Sequence, residues 1–223
     1  MKSKRLLISR EFAFVLGMII MPFAIAICTK AGLGLSMIAA PTYIISEKIP
    51  LTYGQTEYIF QLLVLIIMSI IVGRFKPIYL TSFLSALVYG TILDFFIWCM
   101  SGFELTVLWV KILFFACGIV LTSLGVAVLM NTYLPPCAYD YLVREVVRER
   151  RLELKKVKLA NDTVYFATAV LLTLLLHHRF IGITWGTLVI VVVNGNLISA
   201  FNKLLNSRFE FFTRFVKLEK IFL

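Results

Sequence analysis

Four ionisable residues lie inside long apolar segments of this sequence: Glu57, Asp94, Lys111 and Asp162. A charged side chain is costly inside a bilayer, so such residues usually bind an ion or a solute, or pair with one another. Polar amides lie in the same segments and could extend a site of this kind: Gln61, Asn161, Asn194 and Asn196. These side chains predict reversible binding of a small solute or ion.

The elements that position these residues are predicted to be transmembrane helices. Hydrophobic residues make up 61% of the chain and charged residues 15%, which leaves more apolar surface than a soluble domain of 223 residues could cover. A helix needs about 20 apolar residues to cross a hydrocarbon core of roughly 30 Å. Six segments qualify: 12–28, 53–72, 78–100, 105–130, 159–176 and 182–203. The first also follows basic residues, as a signal peptide would, but its counterpart in the second half favours a span.

The net charge of +10 is explained by the predicted topology. With both termini in the cytoplasm, only Lys30, Lys48, Lys111 and Arg179 fall on the outer side, and the other lysines and arginines fall on the inner side. The basic run 144–158 is then a solvated or headgroup-facing surface. We therefore expect the lipid bilayer, and no nucleic acid, as a partner.

The chain contains one pattern twice. Segments 74–96 and 179–201 both begin with Arg-Phe and end with Phe, with a glycine at the same position between them. Internal duplication of this kind is typical of transporters. Each half is predicted to cross the membrane three times, an odd number that gives the halves opposite orientations.

The predicted fold is therefore an all-α membrane protein with six transmembrane helices, arranged as two inverted three-helix repeats. One membrane domain, 1–223, contains repeat 1 at 10–100 and repeat 2 at 105–205. The tail at 207–223 mixes aromatic and basic residues and is predicted to be an amphipathic helix at the cytoplasmic interface.

A short, non-spanning helix is predicted after the first span of each half, at 36–46 and at 137–149. Gly34 permits a tight backbone reversal, and Ser36 is a suitable N-cap. The N-terminus of a half-helix could aim its backbone donors at an anionic group. The alternative is an ordinary loop at the membrane interface.

The polar residues also have structural interpretations. Lys111 could simply neutralise Asp94 or Glu57, and the asparagines could only link helices. Asp162 with Asn161 could be solvated, or paired with a lysine, at the membrane edge. The predicted depths place Glu57, Gln61, Asp94 and Lys111 in the outer half and the remaining four, Asn161, Asp162, Asn194 and Asn196, in the inner half. Two polar clusters would then mark the two ends of a permeation path.

No enzymatic activity is predicted. Asp94 and Asp162 would lie on opposite sides of the membrane, whereas an aspartyl dyad needs two carboxyl groups that share a proton. The four cysteines have no paired spacing, and the two histidines at 177–178 are expected to be interfacial. We predict no catalytic residue, no metal and no cofactor.

Several motifs resemble those of the YitT/YczE-type bacterial membrane proteins. Residues 30–37, Lys-Ala-Gly-Leu-Gly-Leu-Ser-Met, are similar to that family's signature at the end of its first span, with Met37 in place of the usual proline. Residues 41–46 resemble its Pro-Tyr-x-x-Ser element. Residues 157–162 and 182–187 resemble its second-half pattern. The acidic residue often seen near Gln61 is absent here.

The resemblance covers about residues 10–205 and implies a multi-pass protein of the bacterial inner membrane, in a largely uncharacterised family. The function expected from repeat and resemblance together is a small secondary transporter or permease for an unidentified small solute. Two alternatives stay open: a substrate-capturing subunit of a larger transport complex, and a non-transporting scaffold. The size is compatible with a homodimer.

Overall fold

A computed structural model describes residues 6–76, 78–134, 137–216 and 219, without the side chains of Asp140, Leu154 and Lys155. Its long helices are α1 (Arg10–Ala31), α3 (Tyr53–Val72), α4 (Tyr79–Cys99), α5 (Leu108–Leu129), α7 (Leu154–His177) and α8 (Trp185–Arg208). The shorter elements are β1 (Leu6–Ser9), α2 (Ala40–Ser46), α6 (Ala138–Arg150) and β2 (Phe209–Phe212). The fold is mostly helical, as predicted.

The six long helices are long and apolar enough to cross a membrane, which confirms the predicted spans to within a few residues. Side chains and glycines define their ends. Thr52 accepts a hydrogen bond from the backbone N–H of Gln55 and caps α3, while Gly73 ends that helix in the left-handed conformation at φ 78°. We therefore describe the chain as a multi-pass membrane protein.

Helices α1 and α5 form the centre of the bundle. Two glycines allow their close approach: a side chain at Gly17 would meet Leu129 at 2.5 Å, and one at Gly118 would meet Cys28. Helix α4 packs on α1, and α8 packs on α5. The first helix of each half thus contacts both its counterpart and the last helix of its own half.

The two short helices pack within the bundle. Helix α2 contacts α3 and α7, and Ala40, Thr42 and Ile44 on it are fully buried. Helix α6 also contacts α3 and α7. The prediction placed the start of the first short helix at Ser36, but Ser36 closes a turn through Ala39, and the regular helix begins four residues later.

The carboxyl-terminal tail differs from the prediction. Residues Phe209–Phe212 form β2, which pairs in parallel with β1, so the predicted helix is wrong over these residues. Glu11 on α1 then accepts hydrogen bonds from the backbone N–H groups of Arg214 and Phe215. Strand pairing satisfies backbone groups that a helix would have satisfied internally. Residues 217–218 and 220–223 of that prediction lie outside the described residues.

Candidate functional site

The carboxyl group of Glu57 is buried where three helices meet, with 5% of the residue exposed. Its Oε2 lies 2.6 Å from the hydroxyl oxygen of Thr42 on α2. Its Oε1 lies 2.9 Å from the hydroxyl of Tyr139 on α6 and 3.2 Å from Nε2 of Gln61, one turn along α3. One acidic side chain therefore joins a long helix to both short helices.

Gln61 extends this contact to the start of α6. The first N–H groups of a helix have no partner inside the helix, and Cys137, at the N-cap of α6, makes no side-chain capping bond. The Oε1 of Gln61 accepts the N–H of Ala138 at 2.9 Å. The amide thus holds the N-terminus of α6 while its other end contacts Glu57.

Aromatic side chains complete the surroundings of Glu57. The hydroxyl of Tyr53 donates to the carbonyl of Ala39 at 2.9 Å, and Tyr139 packs edge-on against Tyr165 with 5.3 Å between ring centroids. In the part of the chain that the structure describes, no lysine, arginine or histidine forms an ion pair with Glu57. The site is a buried acid among neutral polar groups.

Two small pockets lie between the central helices. The first, which we call the Tyr89 pocket, is lined by residues of α1, α4, α5 and α6 with its N-cap: Met18, Met21, Tyr89, Val126, Leu129, Met130, Cys137 and Arg144. The second, the Asn194 pocket, is lined by residues of α1, α5, α8 and the turn before α2: Ile25, Cys28, Ser36, Ile119, Thr122, Ile190 and Asn194.

The two pockets are built from equivalent positions of the two halves. Six residues of one have a counterpart in the other, 101 residues apart in α1, α5 and the short elements and 105 apart in α4 and α8: Met18 and Ile119, Met21 and Thr122, Ile25 and Val126, Cys28 and Leu129, Ser36 and Cys137, and Tyr89 and Asn194. The offset of 105 is also the spacing of the duplicated Arg-Phe pattern.

A second pair of pockets, at the ends of the bundle, follows the same offsets. The pocket beside β2 includes Arg10, Met130, Asn131, Thr132, Tyr133, Asn206, Phe209 and Glu210. Their counterparts in the other pocket are, in the same order, Lys111, Thr29, Lys30, Ala31, Gly32, Ser101, Glu104 and Leu105. Each end pocket therefore holds a basic residue at the equivalent position, Arg10 or Lys111.

The predicted site residues fall into separate groups. Glu57 and Gln61 are brought together, and so are Ser36 and Asn194, whose Oδ1 also accepts a hydrogen bond from Ser123 at 2.6 Å. Asp94 caps the start of α3, where it accepts the hydroxyl of Thr52 at 2.5 Å.

The remaining predicted residues lie apart from Glu57. Lys111 lines an end pocket and forms no ion pair with Asp94 or Glu57 among the described contacts. Asp162 is 3.8 Å from the Nζ of Lys158, and its neighbour Asn161 is half-buried. Asn196 is exposed and bonds to a carbonyl of its own helix.

Gly34 has a packing role. It adopts φ +120°, and a side chain there would meet Oγ1 of Thr184 at 2.7 Å and the backbone N of Thr187 at 2.8 Å. The hydroxyl of Thr184 donates to the carbonyl of Leu33 while capping α8. The glycine therefore lets the chain break before α2 press against the N-terminus of α8.

Sequence reasoning missed two partners of Glu57. Thr42 belongs to the Pro-Thr-Tyr segment of the first short helix, and Tyr139 lies on the apolar side of the second. Neither is ionisable at neutral pH, so a search for charged intramembrane residues passes over both. The signal that could have found them is their place in elements too short to span.

Comparison with known proteins identifies the family. Residues 8–203 match the model of a family of unknown function, DUF6198. The chain belongs to the DUF6198 family. A similar relative is the Bacillus subtilis (strain 168) "Uncharacterized protein YyaS", 29% identical over 195 residues, which are 87% of this chain and 92% of the relative. No solved structure matches. DUF6198 membership identifies no substrate, and the YitT/YczE resemblance stays a prediction.

Proposed function

We propose that this DUF6198 protein is a small secondary transporter that moves a small solute across the bacterial inner membrane by alternating access. The observation that carries the proposal is the equivalence of the Tyr89 pocket and the Asn194 pocket. Two inverted repeats give two such pockets that face opposite sides of the membrane. When the two repeats exchange conformations, one central site opens to each side of the membrane in turn.

The packing supports the inverted repeat. Helix α2 lies on α7 of the other half, and α6 lies on α3 of the other half. One pair of equivalent positions is in contact in both halves, at the offset of 101: the Nζ of Lys76 is 2.9 Å from a carboxylate oxygen of Glu145, and the Nε2 of His177 is 2.9 Å from the backbone carbonyl of Ile44. Each short helix thus contacts the long helix of the opposite repeat or the residues at its end, as expected for a two-fold relation.

The two pockets differ in their access to the surface. The Tyr89 pocket is bordered by Met130 and Arg144, both of which are exposed, whereas none of the described residues that line the Asn194 pocket is exposed. A transporter at one end of its cycle has one open and one closed pocket. With the termini in the cytoplasm, this arrangement corresponds to an inward-facing state.

Thiol labelling at equivalent positions tests the exchange. Cys137 lies in the Tyr89 pocket, and Ser36→Cys places a thiol at the matching position of the Asn194 pocket, with Cys28, Cys99 and Cys117 replaced by alanine. A membrane-impermeant maleimide should label Cys137 from the side of the termini and the Ser36→Cys variant from the opposite side. A transported solute should change the two rates in opposite directions. Labelling of both thiols from one side would contradict alternating access.

Uptake into vesicles tests transport itself. Purified protein in liposomes, offered a pooled metabolite mixture, should accumulate at least one solute above the level of empty vesicles. Absence of accumulation by folded protein would contradict the proposal. Copurification of an ATPase would instead favour the role of a subunit in a larger complex.

A further inference from the structure

The burial of Glu57 poses a charge problem. Among the described residues, the ionisable groups that interact with it are hydroxyls, those of Tyr53 on α3, Tyr89 on α4 and Tyr139 on α6, and the thiol of Cys137 lies beside Tyr89 and Tyr139. Thr42 on α2 and Gln61 on α3 add only neutral groups. An ionised carboxylate without a cationic partner is strongly disfavoured in such a place. The group must therefore take up a proton or a small cation.

The hydrogen bonds around the carboxyl group favour a proton. The hydroxyl of Thr42 has one hydrogen, yet it lies 2.6 Å from Oε2 of Glu57 and 3.0 Å from the carbonyl of Ala39. Both contacts are hydrogen bonds only if Glu57 donates to Thr42 and Thr42 donates to Ala39. A separation of 2.6 Å between two oxygens fits one shared hydrogen and leaves no room for a metal ion between them.

We propose that Glu57 binds the coupling proton of this transporter. The claim that this proton is coupled to transport rests on the proposed function, whereas the claim that Glu57 binds a proton rests on the geometry alone. In the neutral state Glu57 donates to Thr42, and Thr42 donates to Ala39. When the proton leaves for water through the Tyr89 pocket, Thr42 turns its hydrogen to Oε2, and only the Tyr53 hydroxyl still donates from a side chain to the Ala39 carbonyl.

The loss of that hydrogen bond gives the proton a mechanical consequence. Thr42 and Ala39 form the first turn of α2, while Tyr139 and the Gln61–Ala138 bond hold the first turn of α6. Ionisation changes the contact to α2 and adds charge beside α6. The two short helices, one from each repeat, thus respond to the same proton.

Infrared spectroscopy of the purified protein in lipid nanodiscs tests the proton site without a known solute. At a pH at which exposed carboxyl groups are ionised, the carbonyl stretch of a protonated carboxyl group should be present in wild type, disappear as pH rises further, and be absent from Glu57→Gln. The exposed Glu47→Gln is the matched control and should retain the band. Thr42→Val, which removes one partner and leaves the acid in place, should shift the band's frequency.

Three results would overturn the proton site. The first is an ionised Glu57 at every pH at which the protein is folded. The second is a wild-type band that Glu57→Gln retains. The third is loss of the band on adding sodium but not potassium at constant pH, which would assign the site to sodium.

A transport assay on the same variant tests this inference separately from the proposed function. With the metabolite pool and an imposed pH gradient, wild type should accumulate solute, whereas Glu57→Gln should lose accumulation and retain exchange of solute across the membrane. Gradient-driven accumulation by Glu57→Gln at the wild-type level would overturn coupling through this residue. If the infrared band titrates but wild type moves no solute, the transport proposal is wrong and the proton-binding site stands.

Discussion

Gly90 on α4 and Gly195 on α8 occupy equivalent positions of the two halves, yet their surroundings are opposite. A side chain at Gly90 would meet the carbonyl oxygen of Gly54 on α3 at 2.5 Å, whereas a side chain at Gly195 would have nothing within 4 Å. Helix α4 packs along α3, and α8 is the least buried of the six spans. We call the first half, in which α4 packs along α3, the closed half, and the second half, in which α8 is mostly uncovered, the open half. These two names describe the packing of the helices and not the access to the pockets.

The difference shows that a repeated sequence does not impose repeated packing. The closed half contributes Glu57, whose helix must be fixed if one proton is to act on two short helices. The open half leaves α8 toward lipid or toward another copy of the chain. Under the alternating access that we propose, this difference would let the first half serve as the fixed part while the second moves.

The largest expected effect comes from filling the contact between α3 and α4. Gly54→Val should lower the free energy of unfolding by about 3 kcal/mol, because overpacking of a close backbone contact costs on the order of 1–3 kcal/mol. Gly195→Ala is the control and should be neutral or slightly stabilising, since alanine favours a helix by about 1 kcal/mol over glycine. Thermal unfolding in detergent measures both. Equal losses would show that α8 is as tightly packed as α4.

Removal of the carboxylate that caps α3 should have the next largest effect. Asp94 accepts from the backbone N–H of Gly54 at 2.7 Å and from Thr52, so Asp94→Ala should cost about 2 kcal/mol, the range of a hydrogen bond to a charged group. The equivalent residue of α8 is the exposed Ser199. Ser199→Ala should leave the unfolding temperature unchanged. A large loss in the control would contradict the unequal roles of the two halves.

A homodimer would place a second copy against the open half, and Asn196 is the residue that tests it. This exposed amide bonds only weakly to the carbonyl of Val192, at 3.4 Å, and amides bond between membrane helices. Asn196→Leu should weaken dimerisation by about 1 kcal/mol, or about fivefold in the dissociation constant. Thr91→Val, at the equivalent position of α4, is the control. Förster transfer between labelled copies in liposomes measures the dissociation constant of the dimer. A wild-type protein that is monomeric in this assay would contradict the prediction.

The smallest effect concerns the ion pairs that hold α6 to the loop after α3. Arg74 and Lys76 donate to Glu149 and lower the pKa of that carboxyl from 4.5 to about 2. A lowered folded-state pKa stabilises the protein above the unfolded value and stops doing so as pH falls toward about 2. Wild type should therefore lose slightly more stability than Glu149→Gln over that acid range. Identical acid profiles of the two proteins would show that the pair contributes nothing.

Much of the fold could be predicted from the sequence. Segment 53–72 agrees with α3 at both ends, because a mainly apolar stretch between a threonine cap and a glycine must satisfy its backbone hydrogen bonds internally in a bilayer, and a helix does so. The second short helix, predicted at 137–149, differs from α6 by one residue at each end. The prediction of a helix at 209–212 is wrong because a strand depends on its partner, and the partner of β2 lies about 200 residues earlier in the chain.

The candidate site was only partly predictable. Glu57 could be predicted because a carboxylate is rare in an apolar segment, and Gln61 because it is a polar amide in the same segment. Lys111, by contrast, has the charge of a counter-ion for Asp94 or Glu57, but it lines an end pocket instead. Helical spacing relates residues within one helix, but it contains no information about which side chains of different helices meet.

The sequence by itself determined the helices, the membrane environment and the duplicated pattern, because each depends on local composition and on spacing along the chain. Only the tertiary structure decided that Thr42 and Tyr139, from short helices of different halves, meet at Glu57. It also decided that the offsets of 101 and 105 residues relate two whole pockets. Those contacts depend on how closely the helices approach one another. Glycines such as Gly54 and Gly90 allow a close approach because they have no side chain.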